Sequence, residues 1–140
     1  MVHALQEVRR VLVPGGTLID LRPLAGGWPV EVVSSRETRE AGPVTDLPEG
    51  LEDDAAANRA MSAGEADAWF FRERETFFPL HYYWDSPKDM EQYVREEWQD
   101  FIEIDEAVLQ RLRSLWAVAD ADARVRVRAR MLITRWRQLP

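Results

Sequence analysis

The triplet Pro14-Gly15-Gly16 constrains this chain most, because it forces a reversal between two segments of different periodicity. Before it, Ala4, Leu5, Val8, Val11 and Leu12 recur at helical spacing, with Gln6, Glu7, Arg9 and Arg10 between them. Pro14 stops the helix, and the two glycines supply the positive-φ backbone that a tight reversal needs. After it, Thr17 to Leu21 (TLIDL) is β-branched and aliphatic and predicts a short strand. Arg22-Pro23 ends that strand, since proline cannot donate to a ladder. No Ser, Thr, Asp or Asn stands ahead of the helix as an N-cap, so it reads as a helix that something precedes.

Beyond Pro23, Gly26-Gly27 marks a turn. Trp28 to Val33 and Glu37 to Val44 predict two short strands. Leu51 to about Arg74 is rich in Ala and Glu and predicts helix, split in two by a capping box at Ser62-x-x-Glu65. Glu75 to Trp84 (ETFFPLHYYW) predicts an aromatic strand in which Pro79 implies an edge or a bulge. Ser86, Pro87 and Asp89 form a sharp helix start, with Met90, Tyr93, Val94, Trp98 and Phe101 on one face. Asp105 caps a further helix that buries Val108, Leu109, Leu112, Leu115 and Trp116. Arg124 to Gln138 alternates, Val125, Val127, Ala129, Met131 and Ile133 against four arginines, and predicts a long strand. There are no internal repeats and no low-complexity linker, so residues 1–140 read as one domain.

The 140 residues are 46% hydrophobic and hold fourteen aromatic side chains, enough for a packed core. The absence of Cys excludes disulfides, thiol catalysis and cysteine zinc sites. No apolar run approaches the ~18 residues of a membrane span, and no signal peptide opens the chain, so a cytoplasmic protein is expected. The net charge of −7 argues against nucleic acid as a partner. That charge is uneven. Six arginines and no acid lie in residues 124–140, leaving −13 on the rest. The basic end reads either as internal charge complementarity or as an anion-binding strip. Seventeen Arg against Lys88 alone indicate a GC-rich, bacterial coding sequence.

With helix, turn and strand in place, ALQEVRRVLVPGGTLIDLRP resembles a stretch of the class I S-adenosylmethionine-dependent methyltransferases. In that family the helix after the fourth strand reads roughly "aL.E..RvLkPGG.l" and the fifth strand follows. The matching residues are Ala4, Leu5, Glu7, Arg10, Val11, Leu12, Pro14, Gly15, Gly16 and Leu18. The resemblance implies an α/β or α+β fold, a partial Rossmann-like sheet flanked by helices. In it a parallel first strand is joined by a C-terminal antiparallel pair. The family's fifth strand lies between the fourth and the seventh, and its sixth and seventh are the antiparallel pair. The family binds its cofactor with a Gly-rich loop and an acidic residue far upstream of the PGG turn. Gly26-Gly27 follows the wrong strand and lacks the third spaced glycine. No cofactor is therefore expected for this chain alone, and S-adenosylmethionine only if the missing half is supplied.

The expected function is a methyltransferase-like module, not catalytic alone, serving in binding or assembly or as one part of a split enzyme. The alternatives are a fragment of a small-molecule methyltransferase and a small ligand-binding α+β protein. Asp20 and Arg22, at the end of the first strand where open α/β sheets bind ligands, are the first candidates for a pocket. His81, Tyr83 and Trp84 in the aromatic strand complete the candidate set, and each has a purely structural reading beside the functional one. Only His3 and His81 are histidines, without metal-ligand spacing, so no metal is expected. The edge from Thr17 to Leu21 is the expected contact with a second copy or a second polypeptide.

Overall fold

The computed structural model describes residues 2–140, and side chains from residue 3 onward. In chain order the elements are α1 (Val2–Val11), β1 (Thr17–Leu24), β2 (Pro29–Val33), β3 (Thr38–Pro43) and β4 (Thr45–Asp46). Then come α2 (Pro48–Ala66), β5 (Phe70–Trp84), α3 (Pro87–Tyr93) and a π-helical turn (Val94–Trp98). β6 (Ile102–Glu103), α4 (Glu106–Ala117) and β7 (Arg124–Gln138) complete the chain. The result is a mixed fold of helices and antiparallel sheet. It divides into two compact units: Met1–Leu24 with Glu52–Phe78 and Met131–Pro140, and Ala25–Leu51 with Pro79–Arg130.

In the first unit, the reversal predicted at the PGG triplet is a β-bulge. Gly15 takes φ +78° and its N–H donates to the Gln138 carbonyl, while the Gln138 N–H donates to the carbonyl of Gly16. Two residues thus oppose one, with the first in left-handed backbone that only glycine adopts cheaply. These bonds set the start of β1 against the end of β7, so the two strands are antiparallel. The parallel first strand expected from the resemblance is therefore corrected. β1 has β7 as its neighbour, β7 lies between β1 and β5, and β7 runs the opposite way.

The core of this unit is small. Leu5, Ala60, Met61, Phe70 and Trp136 are buried, and Val8, Leu12, Leu18 and Trp69 pack half-buried against them. Val11, expected on the buried stripe of α1, is instead exposed. The helix predicted over residues 51–74 is also shifted: α2 runs unbroken through Ser62 and ends at Ala66. A turn follows, with Ala68 at φ +52°, and Phe70 already begins β5. The Arg-Glu-Arg-Glu run at residues 72–75 has helical propensity, but Glu73 bonds Arg135 and Arg137 of β7, at 2.7 Å each. Tertiary pairing overrides the local preference.

In the second unit, the two short strands predicted from the sequence are β2 and β3, and they pair antiparallel with a bulge at Val30/Glu31. β2 also pairs antiparallel with β7, Val30 opposite Val127 and Val32 opposite Val125. These valines are buried with Ala41, Val44, Met90, Val94, Ile102, Val108 and Leu112. Ser86 caps α3 as its sequence predicts, accepting from the Asp89 N–H with Pro87 following. Asp105 holds the N-cap position of α4 but makes no capping bond; it accepts from the Thr45 hydroxyl at 3.4 Å. No helix among the described residues is long and apolar enough to cross a membrane.

Candidate functional site

β1 runs past Arg22-Pro23 to Leu24, so the first two candidate residues lie within the strand and not at its end as expected, and its alternation decides what each can do. Leu18, Asp20, Arg22 and Leu24 are half-buried, whereas Thr17, Ile19, Leu21 and Pro23 are exposed. Arg22 donates through Nε to both Asp20 oxygens at 3.2 Å and through Nη2 to Asn58 Oδ1 at 2.8 Å. Its Nη1 reaches the Asp54 carbonyl at 3.5 Å. Asp20 and Arg22 thus tie β1 to α2, and every polar group of the pair is engaged within the unit.

The other face and edge of β1 are different. The carbonyl of Gly16 points to β7, so in an antiparallel ladder the backbone groups of Leu18, Asp20 and Arg22 do too. The N–H groups of Thr17, Ile19 and Leu21 therefore point away from β7. Among the described strands none lies on that side, since β1 ends the strand order. Pro23, the next outward position, has no N–H to leave unmet. Ile19 is 50% exposed and Leu21 56%. The same unit also leaves Val11, Val13, Phe71, Phe77 and Phe78 exposed.

His81, Tyr83 and Trp84 belong to the second unit. His81 stands edge-on to the Tyr83 ring, centroids 6.1 Å apart, and the Arg124 guanidinium lies 5.1 Å from that ring's centre. Trp84 joins an aromatic cluster with Tyr82, Tyr93 and Trp98, in which Trp98 packs edge-on against Tyr82 at 4.9 Å, Tyr93 at 5.3 Å and Trp28 at 5.6 Å. Burial, and then Tyr93 beside it, hold the Tyr82 hydroxyl above its ordinary titration range. The geometry makes these rings packing partners of one another.

The arginines of β7 are paired as well. Arg126 Nε lies 2.6 Å from Glu31 Oε2, Arg128 3.2 Å from Oε1, and Arg124 3.2 Å from Asp85. Burial alone would lower the Arg126 pKa, but its bonds to Glu31 and Tyr83 outweigh that and raise it. These three residues serve charge complementarity within the unit.

One concavity escaped sequence reasoning. A shallow cleft of about 260 Å³ is lined by Leu47, Val94, Arg95, Gln99, Ile102 and Leu109 among others. The π-helical turn contributes part of its wall, and such turns recur at functional sites. Its members come from separate elements and share no sequence motif.

The remaining paired glycine is held within the chain. The N–H groups of Gly26 and Gly27 both donate to Asp46 Oδ2, at 2.9 Å each, which occupies the donors a bound anion would need. No group of residues suited to a metal ion occurs among the described residues. No family model matches this chain, and neither a curated protein nor a solved structure matches it.

Proposed function

We propose that this chain is a methyltransferase-like assembly module that works in the cytoplasm. It does not bind S-adenosylmethionine by itself, and it presents β1 as an open strand edge to another polypeptide. The observation that carries this reading is the one-sided pairing of β1: three outward N–H groups, flanked by half-exposed Ile19 and Leu21, without a neighbour among the described strands. The strand order β1–β7–β5 supports the resemblance, because the family's fifth strand borders its seventh and the seventh pairs with the sixth. The open side of β1 then corresponds to the place of the family's fourth strand. The occupant is a second copy or a polypeptide that supplies the cofactor-binding half, and S-adenosylmethionine enters only in the latter case.

The test is the native size of the protein in extracts of its source. The expected result is elution well above the 16.2 kDa of one chain, with Ile19→Lys/Leu21→Lys returning it to that size. A native monomer overturns the reading. So does calorimetric titration showing micromolar binding of S-adenosylmethionine by the isolated chain.

A further inference from the structure

β1 is not the only free edge. β5 also has β7 as its one neighbour among the described strands, and the two edges differ in whether they tolerate their own copy. A two-fold axis that pairs a strand antiparallel with itself keeps each residue on its own face of the sheet. Directly opposed residues share a face, so a residue can face only one an even number of positions from itself. In β5 this rule sets Arg72 against Arg74 and Glu73 against itself when the register centres on Glu73, and Glu73 against Glu75 and Arg74 against itself when it centres on Arg74. Pro79 further interrupts its ladder. That edge resists self-pairing.

On β1 the same rule selects one register. The outward donors are Thr17, Ile19 and Leu21. Centring on Ile19 sets Ile19 opposite Ile19 of the second copy and Thr17 opposite Leu21, and uses all three donors. Centring on Asp20 would bring two carboxylates face to face in the closer, non-hydrogen-bonded position. Centring on Leu21 would draw Pro23 into the ladder and lose a donor. Charge favours the same contact. The unit bearing β1 has eight Arg against nine Asp or Glu, whereas the other carries ten basic against sixteen acidic residues. Self-association through β1 therefore joins the nearly neutral parts of two acidic chains.

We infer that the occupant of the β1 edge is a second copy of this chain, paired antiparallel about a two-fold axis at Ile19. This rests on the assembly reading above and narrows it to one partner and one register.

The absence of native cysteine makes the test direct. Purified Ile19→Cys protein, folded by circular dichroism, is treated with a bismaleimide spanning about 8 Å. The opposed Cα atoms of such a pair are about 5.5 Å apart, so a covalent dimer is expected in high yield. Thr17→Cys alone is expected to cross-link poorly, because its symmetry mate lies four residues along, about 13 Å away. Mixing Thr17→Cys with Leu21→Cys restores the dimer. Equal yields at all three positions, or none with a monomer by sedimentation at tens of micromolar, overturn the inference. If the second result accompanies a large native size in extracts, the partner is a different polypeptide. The assembly reading then stands without the second copy.

Discussion

Glu31 of β2 and Arg126 of β7 face each other in register across the sheet, carboxylate to guanidinium at 2.6 Å, with the glutamate side chain 4% exposed. Arg128 adds a second contact at 3.2 Å. A carboxylate buried to this degree is tolerated because two cations meet it.

Removing that carboxylate leaves the largely buried Arg126 without its anionic partner. Glu31→Ala is expected to destabilise the protein by about 3–5 kcal/mol, read from urea denaturation. The double variant Glu31→Leu/Arg126→Met, which removes both charges, should recover most of the loss. If the single and double variants fall equally, the pair is not the source of the effect.

Gly15 allows a cleaner measurement. A methyl group added there meets no atom within 4 Å, so the only cost is its φ of +78°. Gly15→Ala should cost about 1–2 kcal/mol, and Gly15→Asn less, since Asn tolerates left-handed backbone. Thermal unfolding of both variants decides. Equal losses would mean that the bulge reforms differently from the one described.

Arg22 is expected to matter for stability through α2. Arg22→Ala removes bonds to Asp20, Asn58 and the Asp54 carbonyl together, at a cost of about 1.5–3 kcal/mol. Amide exchange should accelerate in the second turn of α2 before it does in β2 or β3. Uniform acceleration would show that the tie is not local.

Glu73 sets an acid limit. Its carboxyl titrates below the ordinary value of 4.5 because Arg137 donates to it and because Arg135 and Arg137 are charged beside it. A pKa depressed in the folded state means that the unfolded chain binds more protons in this window. The stabilisation is present above pH 4.5 and is lost as pH falls through the folded value. Glu73→Gln should flatten that part of the stability profile and leave the neutral limb parallel to wild type. A steeper acid limb in the variant would contradict the assignment.

Local chemistry was legible in the sequence wherever one segment determined it. Pro14-Gly15-Gly16 marked the turn, Ser86-Pro87 the start of α3, and the alternation from Arg124 the whole of β7. The direction of β1 was not, because it depends on which strand lies beside it, and Gln138 is more than a hundred residues away. The boundary between α2 and β5 was hidden for the same reason: Arg-Glu repeats favour helix until Arg135 and Arg137 arrive from β7. Asp20 and Arg22 were expected at a strand end, but β1 continues through Pro23 to Leu24 and holds both inside it, and their partner Asn58 comes from another element. The cleft beside the π-helical turn has no linear signature at all.

The unequal edges of β1 and β5 bear on how far association can proceed. A sheet with two permissive borders recruits copies without limit and grows into fibres. In the first unit one border ends after three donors at a proline and the other carries alternating charge, so pairing through the borders of this unit stops once the first is covered. On the inference drawn for β1, the arginines at 72 and 74 would then act as a brake on polymerisation, a role that neither their burial nor their pairing alone would reveal.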